Sequence, residues 1–288
     1  TLSFDNRVSD FAYNVYGMYY TDQSYDDGTS YLPNDLNYFR SRFAPNVTEL
    51  MAFGLTGDYQ NDGWTIKGEA NYLTGSDDIA NGSIDAIQLN DINNGDLSGW
   101  NVYVDIEKQL TEKFSIGGLL GMGSGDDDVT DGEGNVNKLR TSGFWYITEV
   151  WEDSIMPDEE GITPQGLGAP NVRGYRELEN TTALQLNATY RPADKWKVRL
   201  SYTYLMATED IPAWRVEEGE TVVDYTMAES DIGSEFDYLI TWNLLPSATV
   251  GVRGGLFMPG DGAGNLINGT NPHDDMAYET KGFLTVKF

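Results

Sequence analysis

The sequence has no cysteine and only one histidine, His273. The chain therefore has no disulfide, no thiolate metal ligand and no cysteine nucleophile, and it cannot form a site that needs two imidazoles. Basic residues are scarce, because 18 Lys and Arg against 46 Asp and Glu give a net charge of −28. A surface this acidic repels polyanions, which argues against nucleic acid as a partner. No apolar run approaches the roughly 18 residues of a membrane-spanning helix.

What the sequence does have is alternation of apolar and polar residues. A period of two places alternate side chains on opposite faces of a β-strand, and no helical period of comparable length occurs. We therefore predict an all-β chain. The alternation predicts ten strands, near 9–20, 50–59, 64–74, 100–108, 114–123, 181–191, 196–207, 234–244, 249–258 and 276–288.

The connections between these strands alternate between short and long. Short turns rich in Asn, Asp, Gly and Pro join the strands in pairs, and the pairs are separated by long acidic segments. A length of about ten residues is sufficient for a tilted strand to cross a hydrocarbon core, and the predicted strands have about this length. We predict one domain, 1–288, folded as a transmembrane antiparallel up-and-down β-barrel. Its long acidic loops are predicted at 21–48, 74–99, 124–180, 208–232 and 259–275.

A soluble β-protein with an acidic surface, such as a sandwich or a propeller, is the alternative. Soluble sandwiches usually have strands of about five or six residues, and the strands predicted here are longer. Trp64, Trp196 and Trp242 also lie within three residues of a short turn. That is where a membrane barrel places its interfacial aromatic residues, so we assign these three to the membrane interface.

The predicted hairpins have a definite register. A turn over 60–63 places Thr56 opposite Lys67, and a turn over 191–195 places Thr189 opposite Lys197. In both hairpins the polar residues then share one face, and a slip by one residue would move charges to the apolar face.

Charged residues on the polar face of the strands are candidates for a channel lining. Basic rings favour anions and acidic rings favour cations, and the set contains both signs, so ion selectivity stays open. A purely structural role is also open, with Lys67–Glu69 and Asp237–Arg253 as pairs that brace the wall. The predicted pore-lining residues are Lys67, Glu69, Lys197, Arg199, Asp237, Arg253 and Lys281.

Two further sites are weaker hypotheses. Asp126, Asp127, Asp128 and Asp131 resemble a calcium loop in composition, although Val129 interrupts the regular spacing of oxygen ligands. Divalent cations such as Ca²⁺ would reduce repulsion among such loops or link them to lipopolysaccharide phosphates. A hydrolase site would depend on His273, and a general base needs an orienting partner and a nucleophile within reach. We predict no catalytic residue and no required cofactor.

Several short glycine-rich motifs occur in a recognisable order. They are Asn14-Val15-Tyr16-Gly17, 52–57, 66–70, 123–126, 233–237 and 254–261. The series resembles the C-terminal part of the alginate-export family of outer-membrane porins. That resemblance implies an 18-stranded monomeric barrel whose arginine-rich constriction passes an anionic polysaccharide. By position on the polar face, Lys67, Lys197, Arg199 and Arg253 would correspond to the basic lining.

The present sequence shows about ten strands and a sparse basic set. Either N-terminal strands of an 18-stranded barrel are missing, or the chain closes as a smaller barrel. We predict an outer-membrane porin or export channel for passive diffusion of polar solutes, among them anionic carbohydrates, with 124–180 as the candidate plug. A structural or adhesive barrel with cation-binding acidic loops is the alternative, and an outer-membrane protease or hydrolase is the third hypothesis. Outer-membrane lipid and lipopolysaccharide are the predicted surroundings.

Overall fold

A computed structural model of the chain describes residues 1–22, 47–78, 95–125, 134–135, 147–152, 178, 180–217, 220–269 and 275–287. Within these residues the protein is all-β with one short α-helix. The strands are β1 Leu2–Val8, β2 Phe11–Asp22, β3 Val47–Asn61, β4 Trp64–Asp78, β5 Gly95–Gln109, β6 Phe114–Gly123, β7 Gly134–Asn135, β8 Thr182–Tyr190, β9 Trp196–Glu217, β10 Glu220–Leu245, β11 Ala248–Pro259 and β12 Ala277–Val286; the helix, α1, is Asp261–Asn268.

The strands form a single sheet in which neighbours in sequence are neighbours in space. The order is β1-β2-β3-β4-β5-β6-β8-β9-β10-β11-β12, with every adjacent pair antiparallel, while the two-residue β7 pairs parallel with β5. The predicted antiparallel up-and-down architecture is therefore confirmed. In the described part of the chain β1 and β12 are the two edges of an open sheet. Because eleven strands alternate in direction, β1 and β12 point the same way, and direct pairing between them would be parallel.

Apart from the two-residue β7, the described residues form eleven strands, one more than the ten predicted. We predicted a first strand over 9–20, but Ser9 and Asp10 form a turn between β1 and β2, and Ser9 has a φ of 54°. Leu2, Phe4 and Val8 alternate with polar residues on β1 and are exposed. Strand β1 is short and lies at the edge of the sheet, so its alternation was too brief to be separated from that of β2.

The prediction of a long loop at 208–232 is also wrong, because this segment is not irregular. Strands β9 and β10 continue through it as a paired hairpin and approach each other at Glu217 and Glu220. These strands are 22 and 26 residues long, at least twice what a membrane span needs. Near the tip, the hydroxyl and the backbone N–H of Thr226 donate hydrogen bonds to the Asp224 carboxylate and lower its pKa.

The hairpin registers differ from the prediction by two residues. Thr56 lies opposite Glu69 and Thr189 lies opposite Arg199. In the first hairpin the turn contains only Asp62 and Gly63, both with positive φ, so the strands continue into the residues assigned to the turn. A shift by two leaves every side chain on its predicted face.

The two faces of the sheet differ sharply in composition. Aliphatic and aromatic side chains are exposed on one face, which we call the outer face, and examples are Phe53, Leu186 and Leu200. The opposite face, the inner face, carries buried polar side chains. They include Glu69, Asn71, Asn101, Gln185, Asn187, Thr189, Thr203, Glu235 and Asp237. An apolar outer face around a polar interior is the arrangement of a strand sheet in lipid.

Leu186 tests whether the outer face contacts lipid, because it lies at the middle of β8 and is 72% exposed. We expect Leu186→Arg to lower the free energy of unfolding in lipid vesicles by about 2–4 kcal/mol, the cost of arginine near a bilayer midplane. Leu244→Arg, close to the short turn before β11, is the matched control and should cost about 0–1 kcal/mol. Equal effects at the two positions in denaturant titrations would contradict a lipid-facing surface.

Candidate functional site

The seven residues predicted to line a pore all lie on the inner face. Three of them form one row across the sheet, because Leu239 pairs with both Arg199 and Arg253, and Arg253 pairs with Lys281. Lys197 lies in a row closer to the short turns, since it pairs with Thr241. The register thus aligns three cations from distant parts of the sequence, on strands β9, β11 and β12.

The next row toward the long connections is acidic. Asp237 pairs with Gly255, and Gly255 pairs with Glu279. The Lys281 ammonium lies 2.6 Å from a Glu279 carboxylate oxygen. Basic and acidic rows are therefore adjacent, and the inner face carries both signs of charge rather than one sign throughout.

Several charged residues of the inner face have contacts or strand partners beyond the bracing pairs considered from sequence. Lys67 lies directly opposite Asp58 on β3 and Asp105 on β5. Glu69 accepts a hydrogen bond of 2.7 Å from the Asn71 side-chain amide. Arg253 makes an ion pair of 3.4 Å with Glu149, which is not on a strand of the sheet.

Glu149 belongs to the segment 147–152, which we call the inserted segment because it packs against the inner face. Its side chains Ile147, Val150 and Trp151 are buried, and Trp151 stacks on Phe257 with ring centroids 5.1 Å apart. They belong to one apolar cluster with side chains from β5, β6, β8, β9, β10, β11 and α1. The other members include Tyr103, Leu119, Leu178, Leu205, Ile211, Ile232, Phe257, Ala263 and Leu266. Part of the space over the inner face of the sheet is therefore filled by these side chains.

Carboxylates hold the backbone of the inserted segment. The N–H groups of Val150 and Trp151 donate to the two oxygens of Glu235 at 2.5 and 2.9 Å. The N–H of Glu149 donates to Asp237 at 3.4 Å. Inside the segment, Glu152 accepts from the N–H groups of Ile147 and Thr148 at 2.5 and 3.0 Å. Five consecutive backbone donors thus meet three carboxylates, which we call the carboxylate clamp: Glu152, Glu235 and Asp237.

A cavity of about 220 Å³ lies between the inserted segment and the sheet. Its lining includes Lys67, Asp105, Glu149, Gln185, Arg199 and Asp237. Gln185 also bonds across the cavity wall, donating to the carbonyl of Ile147 at 2.8 Å and accepting from Arg199 at 3.3 Å. The cavity presents cations and carboxylates together with neutral hydrogen-bonding groups, which suits a polar, hydrated solute and is unsuited to an apolar one.

A second polar network lies on the inner face of β2, β4 and β5. The Tyr16 hydroxyl donates to Asn71 at 2.7 Å, and Asn71 donates to Asn101 at 2.9 Å. All three residues are buried. Gly54 on β3 makes room for this network, because a Cβ there would lie 1.9 Å from the Tyr16 ring.

The three tryptophans assigned to the membrane interface lie on the outer face, each next to a short turn. They are 41%, 43% and 37% exposed at Trp64, Trp196 and Trp242. Trp196 and Trp242 are cross-strand partners and stack with centroids 5.8 Å apart. The Lys108 ammonium lies 4.9 Å from the centre of the Trp64 ring. Their contact with the membrane interface stays a prediction.

Other predicted sites lie outside the described residues. These are His273 and the proposed calcium ligands Asp126, Asp127, Asp128 and Asp131. In the part of the chain that the structure describes, no group of three or more His, Asp or Glu side chains is arranged to hold a metal ion. The helix that is described is too short to cross a membrane.

Comparison with known proteins relates the C-terminal part of this chain to a transport family. Residues 170–271 match the model of the alginate export family. The match covers roughly a third of the chain, and the resemblance inferred from the motifs at 233–237 and 254–261 is confirmed there. The matched region of the chain contains β8 to β11 and α1, and these strands carry Glu235, Asp237 and Arg253. No curated protein matches the chain.

The chain is also similar to solved structures of outer-membrane proteins, although the sequence identities and the TM-scores are low. OmpF from Salmonella typhi, in complex with daunomycin, is 13% identical with a TM-score of 0.46, covering 98% of this chain and 60% of OmpF. The FrpB iron transporter from Neisseria meningitidis is 12% identical with a TM-score of 0.39, covering 90% of this chain and 35% of FrpB. The toluene transporter TodX from Pseudomonas putida is 10% identical with a TM-score of 0.35, covering 88% and 71%. The chain therefore spans less than two thirds of the OmpF and FrpB chains.

Sequence reasoning missed the carboxylate clamp almost entirely, since only Asp237 was among the candidates. Glu235 and Asp237 are separated by one residue and therefore share a face, and Phe257 lies opposite Glu235. A glutamate facing an aromatic residue across a strand pair was the available signal. The partner backbone, however, comes from 147–152, and no pattern in that acidic segment predicted where it packs.

Gly54 offers a test of the inner-face network. We expect Gly54→Ala to destabilise the folded chain by about 1–3 kcal/mol, the usual cost of overpacking. The new methyl group would displace the Tyr16 ring and approach the Asn71 oxygen to 2.4 Å. Gly282→Ala is the matched control on β12, because a Cβ there meets no atom within 4 Å. Thermal unfolding followed by circular dichroism measures both, and similar midpoints would contradict the packing of Tyr16 over Gly54.

Proposed function

We propose that the chain forms the wall of an outer-membrane channel through which polar solutes diffuse passively, with anionic carbohydrates as the solute class. The observation that carries the proposal is the contrast between the two faces of the sheet. The outer face exposes aliphatic and aromatic side chains, and the inner face carries a cavity with paired charges. The match to the alginate export family over 170–271 supports transport as the activity.

The basic row supports an anionic solute. Arg199, Arg253 and Lys281 are aligned across β9, β11 and β12, and guanidinium groups bind carboxylates in a bidentate manner. Asp237 and Glu279 in the adjacent row keep the local charge mixed. A mixed lining lets an anionic sugar bind and leave, because attraction to the cations is balanced by the neighbouring carboxylates.

A barrel with a filled interior is the second candidate function. The apolar cluster around Trp151 and Leu266 favours it, because these side chains occupy space on the inner face. Such a barrel would have a structural or adhesive role, with the acidic connections as its binding surface. A hydrolase function would depend on His273, and His273→Ala should then abolish activity, whereas the channel proposal expects no effect on transport.

Charge reversal in the cavity tests the channel. The reconstituted chain should conduct ions in planar bilayers, and Lys67→Glu combined with Arg199→Glu should raise the permeability of K⁺ relative to Cl⁻ severalfold. The two residues line the cavity, so a permeating ion passes close to the altered charges.

Lys113→Glu is the matched control, because Lys113 is exposed in the short turn between β5 and β6. This control should leave the reversal potential close to that of the original protein. Absence of stable currents from folded protein would overturn the channel and favour the filled barrel. Currents whose selectivity ignores the cavity charges would overturn the assignment of this lining.

A further inference from the structure

We infer that Glu235 and Asp237 are positioning residues that hold the inserted segment 147–152 across the channel, so that the carboxylate clamp sets how open the channel is. The inference rests on the proposed channel function. It concerns which residues of the wall fix the internal constriction.

The first argument is the number and direction of the hydrogen bonds. Val150 and Trp151 each direct a backbone N–H at a separate oxygen of Glu235, and Glu149 directs its N–H at Asp237. Hydrogen bonds to a carboxylate are stronger than those between neutral groups. Glu235 is fully buried, so water does not compete for its oxygens.

The second argument is that the wall is shaped to receive the segment. Gly255 lies beside Asp237 in the register, and a Cβ at Gly255 would lie 2.2 Å from the Asp237 oxygen and 3.1 Å from a Val150 methyl group. Gly121 does the same on β6, where a Cβ would lie 2.9 Å from Ile147. At Gly255 the absent side chain leaves room for the Asp237 carboxylate and, beside it, for Val150, while at Gly121 it leaves room for Leu178 and Ile147. At both positions the wall therefore lacks a side chain where the segment approaches it.

The third argument is how the attachment is divided between wall and segment. Glu152 binds the N–H groups of Ile147 and Thr148 and therefore keeps the segment folded on itself. Glu235 and Asp237 belong to β10 and join the segment to the sheet. Loss of the wall carboxylates should therefore release a segment that keeps its own turn, and the cavity beside it should enlarge.

The test uses Glu235→Gln in the complete chain carrying Val150→Cys. The sequence has no cysteine, so this second substitution introduces a single thiol, at a position that is only 2% exposed. Glutamine offers one acceptor oxygen and places an NH₂ donor against the second backbone N–H. We expect maleimide labelling of the introduced thiol to accelerate at least about tenfold, the change that loss of one charge-assisted hydrogen bond implies, and single-channel conductance to rise.

Two further variants keep the test decisive. Gly255→Ala keeps all three carboxylates but places a methyl group against the Asp237 carboxylate and close to Glu235 and Val150, so it should disturb the clamp sterically. It should therefore have the same effects if Glu235→Gln does not fold. Glu112→Gln removes an exposed carboxylate from a short turn and should change neither readout. The heat-dependent shift in gel mobility and the circular dichroism spectrum identify folded protein in every sample.

The outcomes separate this inference from the channel proposal. Faster labelling with higher conductance supports both. Faster labelling of folded protein that never conducts supports the clamp and overturns the channel. Conducting protein in which Glu235→Gln and Gly255→Ala match Glu112→Gln in labelling and conductance overturns the clamp and leaves the channel standing.

Discussion

The hydrogen-bonded pairing of neighbouring antiparallel strands is the constraint on which the rest of the structure depends. Each strand pairs with the next along almost its full length, and the side chains of every paired row point to the same face. The pairing therefore converts a pattern of period two into two continuous surfaces. It also brings residues distant in sequence into one row, as with Arg199, Arg253 and Lys281.

The inner face carries buried polar side chains whose hydrogen-bonding groups are not used in the backbone pairing of the strands. Polar side chains on this face bond to one another, as in the Tyr16–Asn71–Asn101 network, or to the inserted segment, as in Glu235 and Gln185. A buried carboxylate without partners is costly, so the backbone N–H groups of 147–152 and the carboxylates of β10 stabilise each other. The inserted segment is thereby held on the inner face by interactions that also satisfy the buried carboxylates of the sheet.

The charge pattern along the inner face follows from the register. Cations and carboxylates occupy adjacent rows, so they neutralise one another locally while the chain as a whole carries a charge of −28. Basic residues thus occur together on the inner face of a chain that is acidic as a whole. This arrangement explains why composition alone left the selectivity open.

Alternation by itself determined the all-β class and the face on which each strand residue lies, because these depend only on neighbours along the chain. Lys67, Arg199 and Arg253 were assigned to the correct face for that reason. The register, the continuation of β9 and β10 through 208–232, and the packing of 147–152 against Glu235 required the tertiary structure. Each depends on contacts between segments far apart in sequence, and a local pattern carries no information about which distant backbone will occupy a given face.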